Sequence, residues 1–375
     1  MLHQLKPTLT SLFLTVGLLM FTITTWGIPH SHKPVIHTAK SVSVGISYGD
    51  TLVWDSPTEL SQTLDDAAAI GITSIRIDLN WDDVQHNSAN SYDWSNFDRV
   101  VQAAHSRNLT VLPILAYTPP WARPYGCTDV KCAPANPDAF ASFAATASTR
   151  YMSMNIHTWE IWNEPNVVAF WQPASNVTQY VQLLRATSTA IRAADPHAFI
   201  VSGGLAPTDT SAGNISQHDF FSAFVNQGGT NFADAIGDHP YSFPVLPGYP
   251  ADWNAWQKMV GDIEGILKAH GIANKKIWIT EYGAPTNGPG AGATLLDYKF
   301  GSHPDHVDET LQAQMANDSV RLARASNFVG AIYWYSYKDL GTNKSNIENF
   351  FGLRRFDGSA KPVWQSLHNA IMSTN

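Results

Sequence analysis

From Val42 onward the chain repeats one exchange: a short, mostly apolar run gives way to a polar loop, then to a longer stretch with apolar residues every three or four positions. Eight such runs read as strands: "SVSVGISYG", "ITSIRIDLNW", "LTVLPILAYTP", "IHTWEIWNE", "AFIVSGGLAP", "FADAIGDHPY", "KIWITEYG" and "FVGAIYWYSY". The intervening stretches read as amphipathic helices. One covers 59–70, with Leu60, Leu64 and Ala67 on one face, and stops at Gly71; another covers 177–194 and stops before Pro196.

Alternating strand and helix units with mostly buried strands imply a parallel sheet covered by helices, and eight of them imply closure into a (β/α)8 TIM barrel. The stretch from Val42 to about Met372 exceeds the roughly 250 residues typical of that fold, so the surplus belongs in extended βα loops. The competing reading, an open doubly wound sheet, lacks its usual mark, since no glycine-rich phosphate fingerprint follows the first strand. Residues 42–375 therefore read as one catalytic-size domain.

The first 27 residues have another character. Lys6 sits in a short polar head, and no further charge occurs until past Pro29. The apolar centre from Leu12 to Ile23 fits an export signal with cleavage after Gly27, followed by a linker over 28–41. The uncharged span is also long enough to cross a bilayer, so a membrane anchor is the alternative. The two cysteines, Cys127 and Cys132 in "GCTDVKC", are expected to form one local disulfide in an exported chain. Asn108, Asn176, Asn214, Asn317 and Asn343 each open an Asn-x-Ser/Thr triplet.

Composition narrows the partner. A formal net charge of -8 and the lack of any Lys/Arg run argue against nucleic acid, whereas 13 Trp and 13 Tyr in a chain with only 14% charged residues supply flat amphipathic rings suited to sugar faces. The expected partner is a carbohydrate, bound by a monomer that has no membrane contact beyond its N-terminal segment. No organic cofactor is implied. No metal is expected either, because neither a His-x-His strand nor a carboxylate and histidine cluster appears at ligand spacing.

In this fold chemistry sits where strands end at the C-terminal face. Strand four ends in "WNEPN", where Pro165 disfavours continuation and leaves Glu164 at the mouth. Strand seven ends in "ITEYG" and brings Glu281 there. Two carboxylates on opposite walls are what glycosidic cleavage requires, one donating a proton to the leaving oxygen and one facing the anomeric carbon. Arg76 on strand two and Tyr241 in "DHPY" are expected to keep Glu281 ionised. Glu164, beside Trp162 and the neutral Asn163, is expected to keep its proton longer. Asn163 is placed to bond the sugar 2-hydroxyl, His239 lies beside Tyr241, and Trp334 on strand eight is expected as a sugar platform. Structural alternatives accompany these roles: an Arg76–Asp78 ion pair, a hydrogen-bonded structural His239, and packing of Trp334, Trp121 and Trp171 in the barrel top.

Taken together, "WEIWNEPN", "DHPY" and "ITEYG" on strands four, six and seven resemble the retaining glycoside hydrolases of clan A, and "YTPPWARP" with the Glu164 segment looks closest to its family 39-like and cellulase-like family 5 members. "FGLRRFDGSAKPVW" resembles the last loop and helix of the same barrels. The resemblance implies Glu164 as acid/base, Glu281 as nucleophile, and Arg76, Asn163, His239, Tyr241 and Trp334 as supporting residues. It departs at strand three, where "AYTPPW" stands in place of a frequent histidine, so Tyr117 or Trp121 is expected to line the site. A barrel that binds polysaccharide without cutting it commonly lacks one carboxylate, and this chain has both.

Overall fold

The computed structural model describes residues 42–297 and 304–373; the expected export segment and linker lie outside them. Eight parallel strands, β1 Ser43–Gly49, β2 Ser74–Asn80, β3 Thr110–Ala116, β4 Thr158–Ile161, β5 Phe199–Ser202, β6 Ala235–Asp238, β7 Lys276–Tyr282 and β8 Val329–Tyr335, close into a barrel in chain order. Around them run α1 Pro57–Ala69, α2 Trp81–Gln85, α3 Ser95–His105, α4 Pro137–Tyr151, α5 Val177–Ala194, α6 Gln217–Asn226, α7 Ala255–Lys258, α8 Glu264–Ala269, α9 Glu309–Ala325 and α10 Pro362–Met372. The eight expected strands are all present, and the helix expected over 177–194 has those bounds. Among the described residues, no helix is long and apolar enough to cross a membrane.

Local chemistry explains the boundaries. Ser56 caps α1, its hydroxyl accepting from the Glu59 N–H while the Glu59 carboxylate accepts from the Ser56 N–H, a reciprocal capping box. Gly71, at φ +87, lets the chain turn out of that helix. Asn176 caps α5 by accepting from the Gln179 N–H.

The barrel interior is layered. Toward the N-terminal end Leu112, Val201, Ala235, Ala331 and Tyr333 form an apolar plug. Gly45 makes room for it, since a Cβ there would meet the Tyr333 ring at 2.3 Å. Next to this plug the filling turns ionic: Arg76 Nε donates to Glu160 Oε2 at 2.6 Å and Nη2 to Oε1 at 3.0 Å, with both side chains fully buried. Glu160 Oε1 also accepts from the Thr280 hydroxyl at 3.0 Å and the Gly204 N–H at 3.1 Å. Above this layer the long loops after β3, β4, β6, β7 and β8 rise around the barrel mouth.

Removing one partner of a buried ion pair leaves an uncompensated charge. Glu160→Gln is therefore expected to destabilise the fold by about 3–5 kcal/mol. The check is a lower urea midpoint at unchanged m-value.

Candidate active site

Glu164 reaches the mouth because β4 stops three residues earlier than the sequence suggested, at Ile161, and its alternation is then broken. Trp162 and Glu164 adopt left-handed backbone conformations, φ +70 and φ +45. A bulky residue there costs about 1–3 kcal/mol, so its surroundings must hold it. The Trp162 N–H donates to the Leu115 carbonyl at 2.9 Å, its indole N–H donates to the Phe170 carbonyl at 2.7 Å, and its ring packs edge-on against Trp171. The Glu164 N–H donates to the Gly204 carbonyl at 3.0 Å. The result is that Glu160 and Asn163, at odd spacing, both meet Arg76, whose Nη2 donates to Asn163 Oδ1 at 2.8 Å.

Glu281 arrives by a second break. Lys276, Trp278 and Thr280 alternate toward the interior, and the pairing of β7 with β8 shifts between Ile279 and Tyr282. Such an irregularity re-aims a side chain. Thr280 thus stays below with Glu160 while the adjacent Glu281 also enters the mouth.

The two donors assigned to Glu281 from the sequence both reach it. Arg76 Nη1 donates to Oε1 at 2.5 Å, and the Tyr241 hydroxyl donates to Oε2 at 2.8 Å. Burial pushes the Glu281 carboxyl up, but nearby His239, Arg76 and the two hydrogen bonds outweigh it and hold the group below the ordinary glutamate range. Burial opposes the charged form of His239, yet Glu281 and Glu164 raise its pKa above the usual histidine value.

His239 links the two carboxylates. Its Nδ1 lies 2.8 Å from Glu164 Oε1 and 3.7 Å from Glu281 Oε2, and its Nε2 lies 3.0 Å from the Thr280 hydroxyl. That hydroxyl already donates to Glu160, so it accepts from Nε2–H. One proton is then left to be shared across the Nδ1 and Glu164 contact: either Glu164 is protonated and donates to a neutral ring, or the ring is cationic and donates to the carboxylate.

Glu164, Asn163, Tyr117, Tyr241 and Glu281 line one cavity of about 450 Å³ at the C-terminal face. Arg76 and His239 are fully buried beneath it. Trp334 is a correction. It is 2% exposed and packs edge-on against Tyr282 in the layer between strands and helices. On β8 the inward residues are Ala331, Tyr333 and Tyr335, so Trp334 has the wrong parity, and Tyr335 is the residue that lines the cavity. Trp171 is likewise packed, against Trp162 and Tyr180. Trp121 is partly exposed, but it donates its indole N–H to the Gln85 carbonyl and does not line this cavity.

The Arg76–Asp78 ion pair does not form, because Glu160 and Glu281 take the guanidinium. Glu160 was missed from the sequence; the available signal was an acid inside a strand flanked by Trp159 and Ile161. Cys127 and Cys132 form the expected disulfide, and the loop it closes carries Val130 and Lys131 into the cavity wall. Among the described residues, Glu164, His239 and Glu281 form the one cluster that could hold a metal ion, with ligand atoms within 4.8 Å of one another. Both Glu281 oxygens already accept hydrogen bonds from Arg76 and Tyr241, which competes with such a role.

Comparisons with known proteins agree with this architecture. The chain aligns with a family 39 glycoside hydrolase from the gut symbiont Bacteroides cellulosilyticus WH2 at TM-score 0.66 and 22% identity, over 89% of this chain and 64% of that one. It aligns with a family 5, subfamily 18 glycoside hydrolase from Streptomyces cattleya, solved in complex with GlcNAc, at TM-score 0.66 and 16% identity, over 89% and 80% of the two chains. These likenesses speak for the fold. A β-xylosidase of Geobacillus stearothermophilus is 44% identical over 50 residues, and the match spans 13% of this chain and 10% of that enzyme's length. Residues 33–299, more than half of the chain, match the family model described as cellulase, and the protein belongs to glycosyl hydrolase family 5.

Proposed function

We propose that the protein is an exported retaining glycoside hydrolase that cleaves β-linked sugars by double displacement, with Glu281 as nucleophile and Glu164 as acid/base. The observation that carries this reading is spacing: one carboxylate oxygen each from Glu164 and Glu281, with His239 Nδ1, lie within 4.8 Å. Retaining enzymes hold their carboxyl groups about 5–5.5 Å apart, whereas inverting enzymes need about 6.5–9.5 Å to admit a water.

In the first step a Glu281 oxygen bonds to the anomeric carbon as the bond to the leaving oxygen breaks, and the Glu164 proton passes to that oxygen. In the second, Glu164 takes a proton from water, the water oxygen bonds to the anomeric carbon, and the glycosyl ester to Glu281 breaks. Arg76 and Tyr241 keep Glu281 anionic and oriented for attack. Asn163, fixed by Arg76, is placed for the sugar 2-hydroxyl, a contact that strengthens as positive charge develops on the ring. Tyr335 offers an aromatic surface to the bound sugar, and Tyr117, whose ring face Lys131 covers, borders the same cavity.

The roles are separable by chemical rescue. Glu281→Ala should abolish turnover of every substrate. Glu164→Ala should lose on the order of 10² to 10⁴ on glycosides whose leaving group needs a proton. On an aryl glycoside with an acidic phenol it should accumulate the intermediate, and azide should restore turnover to yield a β-glycosyl azide. Azide rescue of Glu281→Ala to an α-azide would reverse the assignment. An inverted product by NMR would exclude the retaining course.

The depressed Glu281 carboxyl has a signed consequence. The nucleophile must be ionised, so activity should be lost only as pH falls through its lowered pKa, and the acid limb of kcat/KM should lie below the ordinary glutamate value of 4.5. Tyr241→Phe should move that limb upward, as read from rate profiles on an activated aryl glycoside.

Gly204 gives a steric test. A Cβ there would meet His239 Nε2 at 2.1 Å and the Thr280 hydroxyl at 2.7 Å. Gly204→Ala should displace the imidazole and lower kcat by about 100-fold, the usual cost of ångström-scale misplacement.

A further inference from the structure

Asp78 is a carboxylate of the cavity wall whose position the proposed mechanism does not explain; Asp50 and Glu348 line the same cavity. Asp78 lies one dyad above Arg76 on the inward face of β2, is 9% exposed, and lines the cavity with Glu164 and Glu281. Among the described residues, nothing hydrogen-bonds its side chain and no cation approaches within ion-pair distance. Its carboxylate oxygens are therefore free to accept from whatever occupies the cavity.

Lys131 shares the same wall. Its ammonium sits 3.1 Å above the centre of the Tyr117 ring. It forms no ion pair with Asp78, although each influences the other's charge. The backbone beneath Lys131 is fixed: its carbonyl accepts from the Gln172 N–H at 3.0 Å, the Thr118 N–H donates to the Val130 carbonyl at 2.8 Å, and the Cys127–Cys132 disulfide closes the loop. An anchored donor and an unpartnered acceptor therefore face one space.

We propose that Asp78 and Lys131 form the recognition pair for the sugar unit held at Glu281, binding its 3- and 4-hydroxyl groups; this rests on the glycosidase reading. With the anomeric carbon at Glu281 and the 2-hydroxyl at Asn163, the rest of the ring edge continues along the wall formed by β2 and the loop after β3. An ionised carboxylate accepts from two neighbouring hydroxyls, and an ammonium donates to their oxygens. Burial, opposed by Arg76 and Lys131 and helped by Asp50 and Glu281, pushes Asp78 up to about 7, as expected of a carboxylate that lacks its partner. The pair is a determinant of specificity and takes no part in bond breaking.

The test couples enzyme and substrate changes. Whichever of the 4-nitrophenyl β-glucoside, xyloside and mannoside is cleaved best is compared with its 3-deoxy and 4-deoxy analogues. The wild-type kcat/KM should fall roughly 10- to 100-fold on an analogue, the scale of one lost hydrogen bond to a charged group. Asp78→Asn and Lys131→Met should lose a similar factor on the parent glycoside and then discriminate less than threefold against at least one analogue. Variants that keep wild-type discrimination would overturn the inference while leaving the glycosidase reading intact. A wild-type enzyme that cleaves none of these glycosides and no β-glucan, xylan or mannan would overturn both. Asp78→Asn should also unfold no earlier than wild type in urea, because the side chain makes no internal hydrogen bond to lose; earlier unfolding would give Asp78 a structural role and overturn the proposal.

Discussion

The buried Arg76–Glu160 pair is the constraint on which the mouth of this barrel depends. Two charges at zero exposure are tolerated only when both are fully engaged, and here they are. Glu160 takes two guanidinium contacts, one hydroxyl and one backbone N–H, while Arg76 has guanidinium contacts left over for Ser47, Asn163 and Glu281. Because the guanidinium is planar and held along its Nε/Nη2 edge by Glu160, the directions in which it offers its remaining N–H groups are fixed. The orientation of Glu281 and Asn163 is therefore set one layer below, by a residue that touches neither the cavity nor a substrate. Pre-organisation of this kind demands a costly buried pair, and that cost is offset by side chains from β2, β4 and β7 and a backbone N–H just after β5.

Both mouth glutamates are delivered by interruptions of strand regularity. A perfect strand presents every second side chain to the interior, and each break supplies an extra one. Just after β4 the left-handed Trp162 brings Asn163 and Glu164 inward after Glu160; on β7 the register shift adds Glu281 to Thr280. The paired glycines at the end of β5 make the first break possible, since a Cβ at Gly203 would meet the Trp162 carbonyl at 2.7 Å and one at Gly204 would meet His239. Local strain at Trp162 and Glu164 is thus spent on position.

This explains what was readable in the sequence. The eight strands and the α5 boundaries follow from periodicity and capping, which are local properties, and they were legible. Glu164, Glu281, Tyr117 and Tyr241 could be placed at the mouth because acids and aromatics at strand ends reach it under almost any detailed geometry. Trp334 failed because its role depended on strand parity, and one residue's shift exchanges the barrel interior for the helix layer. Glu160 escaped notice because its meaning lies in a partner 84 residues away. Lys131 was hidden differently: only the closed loop and the Tyr117 ring bring it beside Asp78, and neither contact leaves a periodic trace.

His239 joins these layers through the movement of charge. In the proposed first step, Glu281 changes from a carboxylate to a neutral ester while Glu164 loses its proton and becomes the carboxylate. The site keeps one negative charge throughout, but that charge moves from one wall to the other. His239 Nδ1 faces both positions, 3.7 Å from Glu281 Oε2 and 2.8 Å from Glu164 Oε1, and its Nε2–H is anchored to Thr280 and through it to Glu160. The ring can therefore respond to either carboxylate without turning. Arg76, on the nucleophile's side, loses a charged partner at the ester stage yet keeps Glu160. A guanidinium serving Glu281 alone would be stranded in a buried layer at that stage, and an intermediate that must persist long enough for water to enter would be penalised. Under the proposed mechanism, the permanent ion pair below the site is what lets Glu281 give up its charge.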